Sequence, residues 1–97
     1  MEKSFYVCIM ASGFNGTLYT GVTIDLPGRV HEHKEGTFEG FTKKYKVNRL
    51  VWYEAHDTAE AAIVREKQVK EWKRDWKKNL IERENPHWED LYESICR

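Results

Sequence analysis

The chain has 97 residues and a mass of 11.6 kDa, with 40% hydrophobic, 13% aromatic and 33% charged residues and a formal net charge of zero. That size leaves room for one small core, and the four Trp, five Tyr and four Phe can fill it without a metal or disulfide staple. The composition excludes a disordered chain and a membrane span, and the neutral charge excludes a dedicated nucleic-acid coat protein.

Phe5-Tyr-Val-Cys-Ile-Met-Ala11, the longest apolar run, predicts a first strand and not a signal peptide. Asn15-Gly16 is a strong short hairpin signal, and Thr17–Thr23 alternates as the antiparallel return strand. Asp25 is placed to cap a helix that has Pro27 in its first turn, Leu26, Val30 and His33 or Lys34 at helical spacing, and Gly36 at its end. Residues 37–48 read as loop with a helical turn around Thr42 to Tyr45, and Arg49–Ala55 reads as a third strand. Asp57-x-x-Glu60 has capping-box spacing, and from Thr58 a helical pattern runs to about Lys73. Ala59, Ala62, Val69, Trp72 and Trp76 fall on one broad arc and are expected to face the core. A further helix is expected over about Asp75–Glu84, stopped by Asn85-Pro86. The tail packs through Trp88, Leu91 and Tyr92. The order β-β-α-β-α-α makes an α+β fold (α/β by some schemes): one domain over 1–97, with a core at about 4–84 and residues 85–97 packed on it.

The neutral total hides a pattern. Residues 65–78 carry seven Lys and Arg against three acids, a local +4, whereas 50–64 and 79–97 are each at −3. Such a division suits a polyanion partner, and equally suits solvated helix faces. Cys8 and Cys96 stand at opposite ends with no CxxC spacing, so neither a disulfide framework nor a zinc site is indicated, and a reducing cytoplasm is the expected location. P-loop, Rossmann, hydrolase-elbow and zincin motifs are missing, and the helical His31-x-His33 pair diverges too far to chelate zinc.

Three placements have chemical potential. Tyr19 and Gly21 share a strand face, where the glycine leaves space for a ligand or simply packs closely. Arg29 lies one helical turn before His33; its fork suits phosphate oxygens, although a solvated arginine has the same spacing. Glu66 flanks the apolar arc, where it either pairs with Lys70 at i+4 or holds a hard cation.

These residues together resemble the GIY-YIG nuclease family, in its small single-domain bacterial branch. The second motif stands as Tyr19-Thr-Gly21 and the first as Tyr6-Val-Cys8. The arginine helix matches Asp25-Leu-Pro-Gly-Arg29-Val-His-Glu-His33, and the glutamate helix matches Ala62-Ile-Val-Arg-Glu66-Lys-Gln-Val-Lys70-Glu-Trp72. Gly40–Tyr45 and Asn85–Leu91 are similar to the same branch, so the likeness spans about residues 4 to 92. It implies a three-stranded antiparallel sheet flanked by helices and metal-dependent cleavage of DNA. Tyr19 would position or activate the attacking water, Arg29 would stabilise phosphate charge and His33 would assist proton transfer. Glu66 would hold one Mg²⁺ or Mn²⁺, and Lys43 and Lys44 would join Arg29 in contacting DNA. Cys8 stands where the first motif carries tyrosine, and Tyr6, two residues earlier on the same face, covers part of that role. The expected substrate is branched, nicked or overhanging DNA with little sequence specificity, met by a monomer away from membranes. The rival is a non-catalytic nucleic-acid-binding or protein-interaction module that keeps the fold.

Overall fold

A computed structural model of the chain describes residues 4–36, 40 and 44–96. Its described elements run β1 (Phe5–Ala11), β2 (Leu18–Thr23), α1 (Leu26–Glu35), β3 (Arg49–His56), α2 (Ala59–Glu71), α3 (Arg74–Glu84) and α4 (Tyr92–Ile95). The sheet is antiparallel with order β2-β1-β3, so the apolar β1 is central and β2 is an open edge. This is the expected α+β architecture.

Alternation along β1 divides the core in two. Val7, Ile9 and Ala11 face α2 and α3 in a cluster with Ala62, Val69, Leu80, Ile81 and Trp88. Cys8 and Met10 face α1 and the tail, with Leu26, Val30, Val47 and Leu50. A bulge in β3 pairs Ile9 with Trp52 and Met10 with Leu50, leaving Val51 over. Val51 and Trp52 can therefore both enter the α2–α3 cluster while Leu50 enters the other. Asn85 supports this irregularity: it is buried, and its Nδ2 donates to the carbonyls of Val51 at 3.1 Å and Glu89 at 2.9 Å.

The helix signals act as their chemistry requires. Asp25 Oδ1 accepts from the Gly28 amide at 3.1 Å, Pro27 sits in the first turn of α1, and Gly36 closes the helix at φ 71°. The cap of α2 is Thr58 and not Asp57: Thr58 Oγ1 accepts from the Ala61 amide at 3.1 Å. The hairpin loop is also wider than a two-residue turn. Residues 12–17 form it, closed by Ser12 N to Thr17 O at 3.0 Å, with Asn15 at φ 54°. Arg74 at the start of α3 clasps the loop, its Nη2 donating to the carbonyls of Asn15 at 2.8 Å and Gly16 at 2.7 Å.

The apolar arc of α2 does not continue into α3. Trp72 and Lys73 are extended, with ψ of 148° and 153°, and these two residues break the helical phase. Trp72 stays half-buried against the core, whereas Trp76, expected inside, is 59% exposed. In the tail Trp88 is wholly buried at φ 56°, its indole donating to Glu82 Oε2 at 2.7 Å, while Leu91 and Tyr92 are half-buried on the second cluster. The expected turn at Thr42–Tyr45 lies partly outside the described residues.

Candidate active site

The candidate residues Tyr19, Arg29, His33 and Glu66 lie on the edge strand β2 and on the helices packed on either face of the sheet. Opposite pairs in an antiparallel sheet share a face, so Cys8 and Gly21, and likewise Met10 and Tyr19, lie on the α1 side. Tyr19 leans back over Gly21. A Cβ added at Gly21 would stand 3.0 Å from Tyr19 Cε2 and 3.5 Å from both Cζ and Oη, so glycine lets the ring sit here without being displaced. The other side of the phenol meets His33, with ring centroids 5.3 Å apart and planes inclined at 50°.

His33 is on the inner face of α1 and is 7% exposed. Burial, and after it the Arg29 guanidinium, hold its pKa below the ordinary 6.5; Glu32 and a backbone hydrogen bond at Val47 pull weakly the other way. The imidazole is accordingly neutral at pH 7. Arg29, one turn earlier, has its Nε 3.8 Å from Glu32 Oε1. It also lines a cavity of about 330 Å³ with Phe5, Val22, Ile24, Ala59 and Ile63, so its side chain reaches past the sheet edge towards α2.

Glu66 comes from the opposite layer. Its side chain is 14% exposed, and Oε2 is 3.5 Å from Nζ of the well-exposed Lys70. The i+4 pair foreseen from spacing does form. Burial pushes the Cys8 thiol up to about 11 against the opposing Arg29 guanidinium and a hydrogen bond at the Gly21 backbone, with Glu66 the smallest contribution, upward. One buried thiol thus feels both the guanidinium from α1 and the carboxylate from α2. It is also protonated at neutral pH, which makes it neither a thiolate nucleophile nor a ready metal ligand.

The other expected residues are placed less centrally. Tyr6 shares the face of Cys8 but pairs with Thr23, and its ring stands edge-on to Tyr53 with centroids 6.4 Å apart, beside Leu26, Pro27 and Ile95. Lys44 is exposed between α1 and β3, its Nζ 5.5 Å from the centre of the Tyr45 ring. Lys43 lies outside the described residues. Sequence reasoning missed Thr20, which is buried on the α2 side of β2 and whose hydroxyl has no hydrogen-bond partner among the described residues. Its alternation between Tyr19 and Gly21 was the only available signal.

The donor chemistry fits a hard cation. Glu66 offers hard carboxylate oxygen, and among the described residues no three His, Cys, Asp or Glu side chains cluster as a softer or fully protein-built metal cage. A single carboxylate is the arrangement used for Mg²⁺-like ions that retain water and bind substrate phosphate.

Comparison with known proteins gives this geometry a family. The model of the GIY-YIG catalytic domain matches residues 4–79. The chain belongs to the GIY-YIG family. It is 39% identical over 82 residues to a UPF0213 protein of Haloquadratum walsbyi, covering 84% of this chain and 91% of that one. It is 33% identical over 81 residues to a UPF0213 protein of Staphylococcus aureus, covering 84% and 96%. The solution NMR structure of the UPF0213 protein BH0048 from Bacillus halodurans superposes with a TM-score of 0.56 at 30% identity, covering 91% of this chain and 93% of that one. The GIY-YIG family is of nuclease type, and its nucleases generally use a divalent metal. No helix among the described residues is long and apolar enough to cross a membrane.

Proposed function

We propose that this GIY-YIG domain is a divalent-metal-dependent DNA endonuclease of low sequence specificity, choosing branched, nicked or overhanging DNA by shape. The observation that supports it best is the seating of Tyr19 between Gly21 and His33, one helical turn from Arg29, with the charges of Arg29 and, more weakly, Glu66 both acting on the neighbouring Cys8 thiol.

Arg29 is suited to the scissile phosphate because its fork binds oxygen pairs and its charge does not titrate. It is 26% exposed, open enough to meet a ligand and shielded enough for its charge to count. Tyr19 Oη is held in place by Gly21 below and His33 alongside, which positions it to orient a water molecule. His33, neutral at pH 7, can accept a proton passed through the phenol. Mg²⁺ or Mn²⁺ held by Glu66 would supply Lewis-acid stabilisation of the phosphate charge. Cys8 forms the floor: a thiol is shorter than the first-motif tyrosine, and its burial keeps it from replacing that hydroxyl. A slower reaction than that of a two-tyrosine site follows.

The test is single-turnover cleavage of end-labelled nicked, flapped, branched and plain duplex DNA in Mg²⁺, Mn²⁺ and EDTA. The metal-dependent product should appear with the wild type and be lost, by at least about 100-fold, in Glu66→Ala and Arg29→Ala that melt at the wild-type temperature. Binding without cleavage in either metal would favour the non-catalytic module; equal cleavage by all three proteins would remove these residues from the mechanism.

A further inference from the structure

Arg65, Trp72 and Trp76 take no part in the site described above. The break at Trp72–Lys73 sets α2 and α3 at an angle that opens a groove of about 330 Å³ between them, lined by Arg65, Trp72, Trp76, Asn79, Leu80 and Arg83. Its polar and apolar parts are arranged in an ordered way. Arg65 Nε donates to Glu54 Oε1 at 3.0 Å, and the guanidinium carbon lies 5.2 Å from the centre of the Trp72 ring, so this wall is fixed. Trp76 stands edge-on to Trp72, centroids 5.9 Å apart, and is 59% exposed, presenting a large indole to solvent on a pinned support. Arg83 has no ion pair among the described residues.

We propose that this groove binds a single-stranded stretch of nucleic acid, with a base stacked on Trp76 and the adjoining phosphate met by Arg83. The occupant follows from charge complementarity: Arg65 and Arg83 line the groove beside the exposed Trp76 ring, and among the described residues no carboxylate lines it, which matches a ligand that is anionic and flat at once. Every base offers such a plane whatever its sequence, and backbone phosphates follow at each step. The groove is a binding surface and does not require the domain to cleave.

The experiment is fluorescence anisotropy of a labelled oligothymidylate of roughly 12 nucleotides, in EDTA so that cleavage plays no part, with a duplex of equal length as comparison. Trp76→Ala should weaken single-strand binding at least about fivefold, the loss of one stacked base. Trp76→Phe, which keeps a stacking ring, should remain within about twofold of wild type. Arg83→Ala should weaken binding and reduce the salt slope by about one. Unchanged melting of Trp76→Phe and Arg83→Ala keeps the comparison valid should Trp76→Ala lose stability. Binding is read in EDTA and cleavage separately in Mn²⁺, so failure of the nuclease reading and failure of this one are distinguishable. Oligothymidylate affinity unaffected by Trp76→Ala overturns the proposal. So does a wild-type dimer in light scattering that Trp76→Ala converts to monomer without loss of strand binding, because the groove would then be a self-association surface.

Discussion

Gly21→Ala tests whether the Tyr19 ring is seated by the sheet or merely adjacent to it. The new methyl would lie 3.0 Å from Tyr19 Cε2, where carbon atoms ordinarily stand about 3.5–4.0 Å apart, so the ring must move by about half an ångström. Overpacking of this kind costs about 1 kcal/mol at the low end of its range. Gly21 is not at positive φ, so alanine also stabilises by about 0.4–1 kcal/mol through the unfolded chain. The two nearly offset in the wild type, and a net loss of about 0–0.6 kcal/mol is expected. In a Tyr19→Ala background the clash is gone and only the gain remains. The cycle of four proteins, measured by urea denaturation, should show a coupling of about 1 kcal/mol, well outside the ~0.3–0.5 kcal/mol scatter of independent sites. Cleavage should fall by about tenfold in Gly21→Ala, since a displacement near 1 Å can cost about 100-fold. Additive stabilities, with cleavage unchanged, would refute the seating of Tyr19 by Gly21.

Asn85→Ala removes the amide that satisfies the Val51 carbonyl at the β3 bulge, and should destabilise by about 2 kcal/mol, lowering Tm by roughly 8–16 °C in calorimetry. Thr20→Val replaces an unpartnered buried hydroxyl by a methyl, and Tm should rise by about 4–8 °C for each kcal/mol recovered; a fall would mean that the hydroxyl is satisfied after all. His33 has its pKa depressed in the folded state, so below pH 6.5 the unfolded chain takes up a proton that the folded one refuses. Stability should therefore fall as pH drops from 7 to about 5.5, and less steeply in His33→Gln, by thermal melts across that window. Equal slopes in the two proteins would remove His33 from the pH response.

The strands and helix caps were legible because each rests on local chemistry: the apolar β1 run, Asp25 with Pro27, Gly36 at positive φ, and Asn85-Pro86. What escaped depends on contacts distant in sequence. Trp76 was expected inside because the arc of α2 was extended across Trp72–Lys73, and no local signal marks the two extended residues that break it. The wide hairpin loop owes its shape to Arg74, fifty-eight positions from Gly16. Thr58 displaced Asp57 as cap by one residue, a shift that capping-box spacing alone does not resolve. For the site, the Tyr19–Gly21 relation was readable from strand alternation and the Arg29–His33 relation from helical spacing. A relation of Glu66 to them was not, since it belongs to the helical layer on the opposite face of the sheet. Only the family resemblance joined it to the other two.

That joining is what most needs measurement. Mn²⁺ added to isotope-labelled protein broadens the amide signals near wherever it binds, and the titration can be read residue by residue. The account expects selective broadening around Glu66, Cys8 and Gly21, abolished in Glu66→Gln while the rest of the spectrum is preserved. Broadening that persists in Glu66→Gln, or that centres on another acidic stretch, would contradict it.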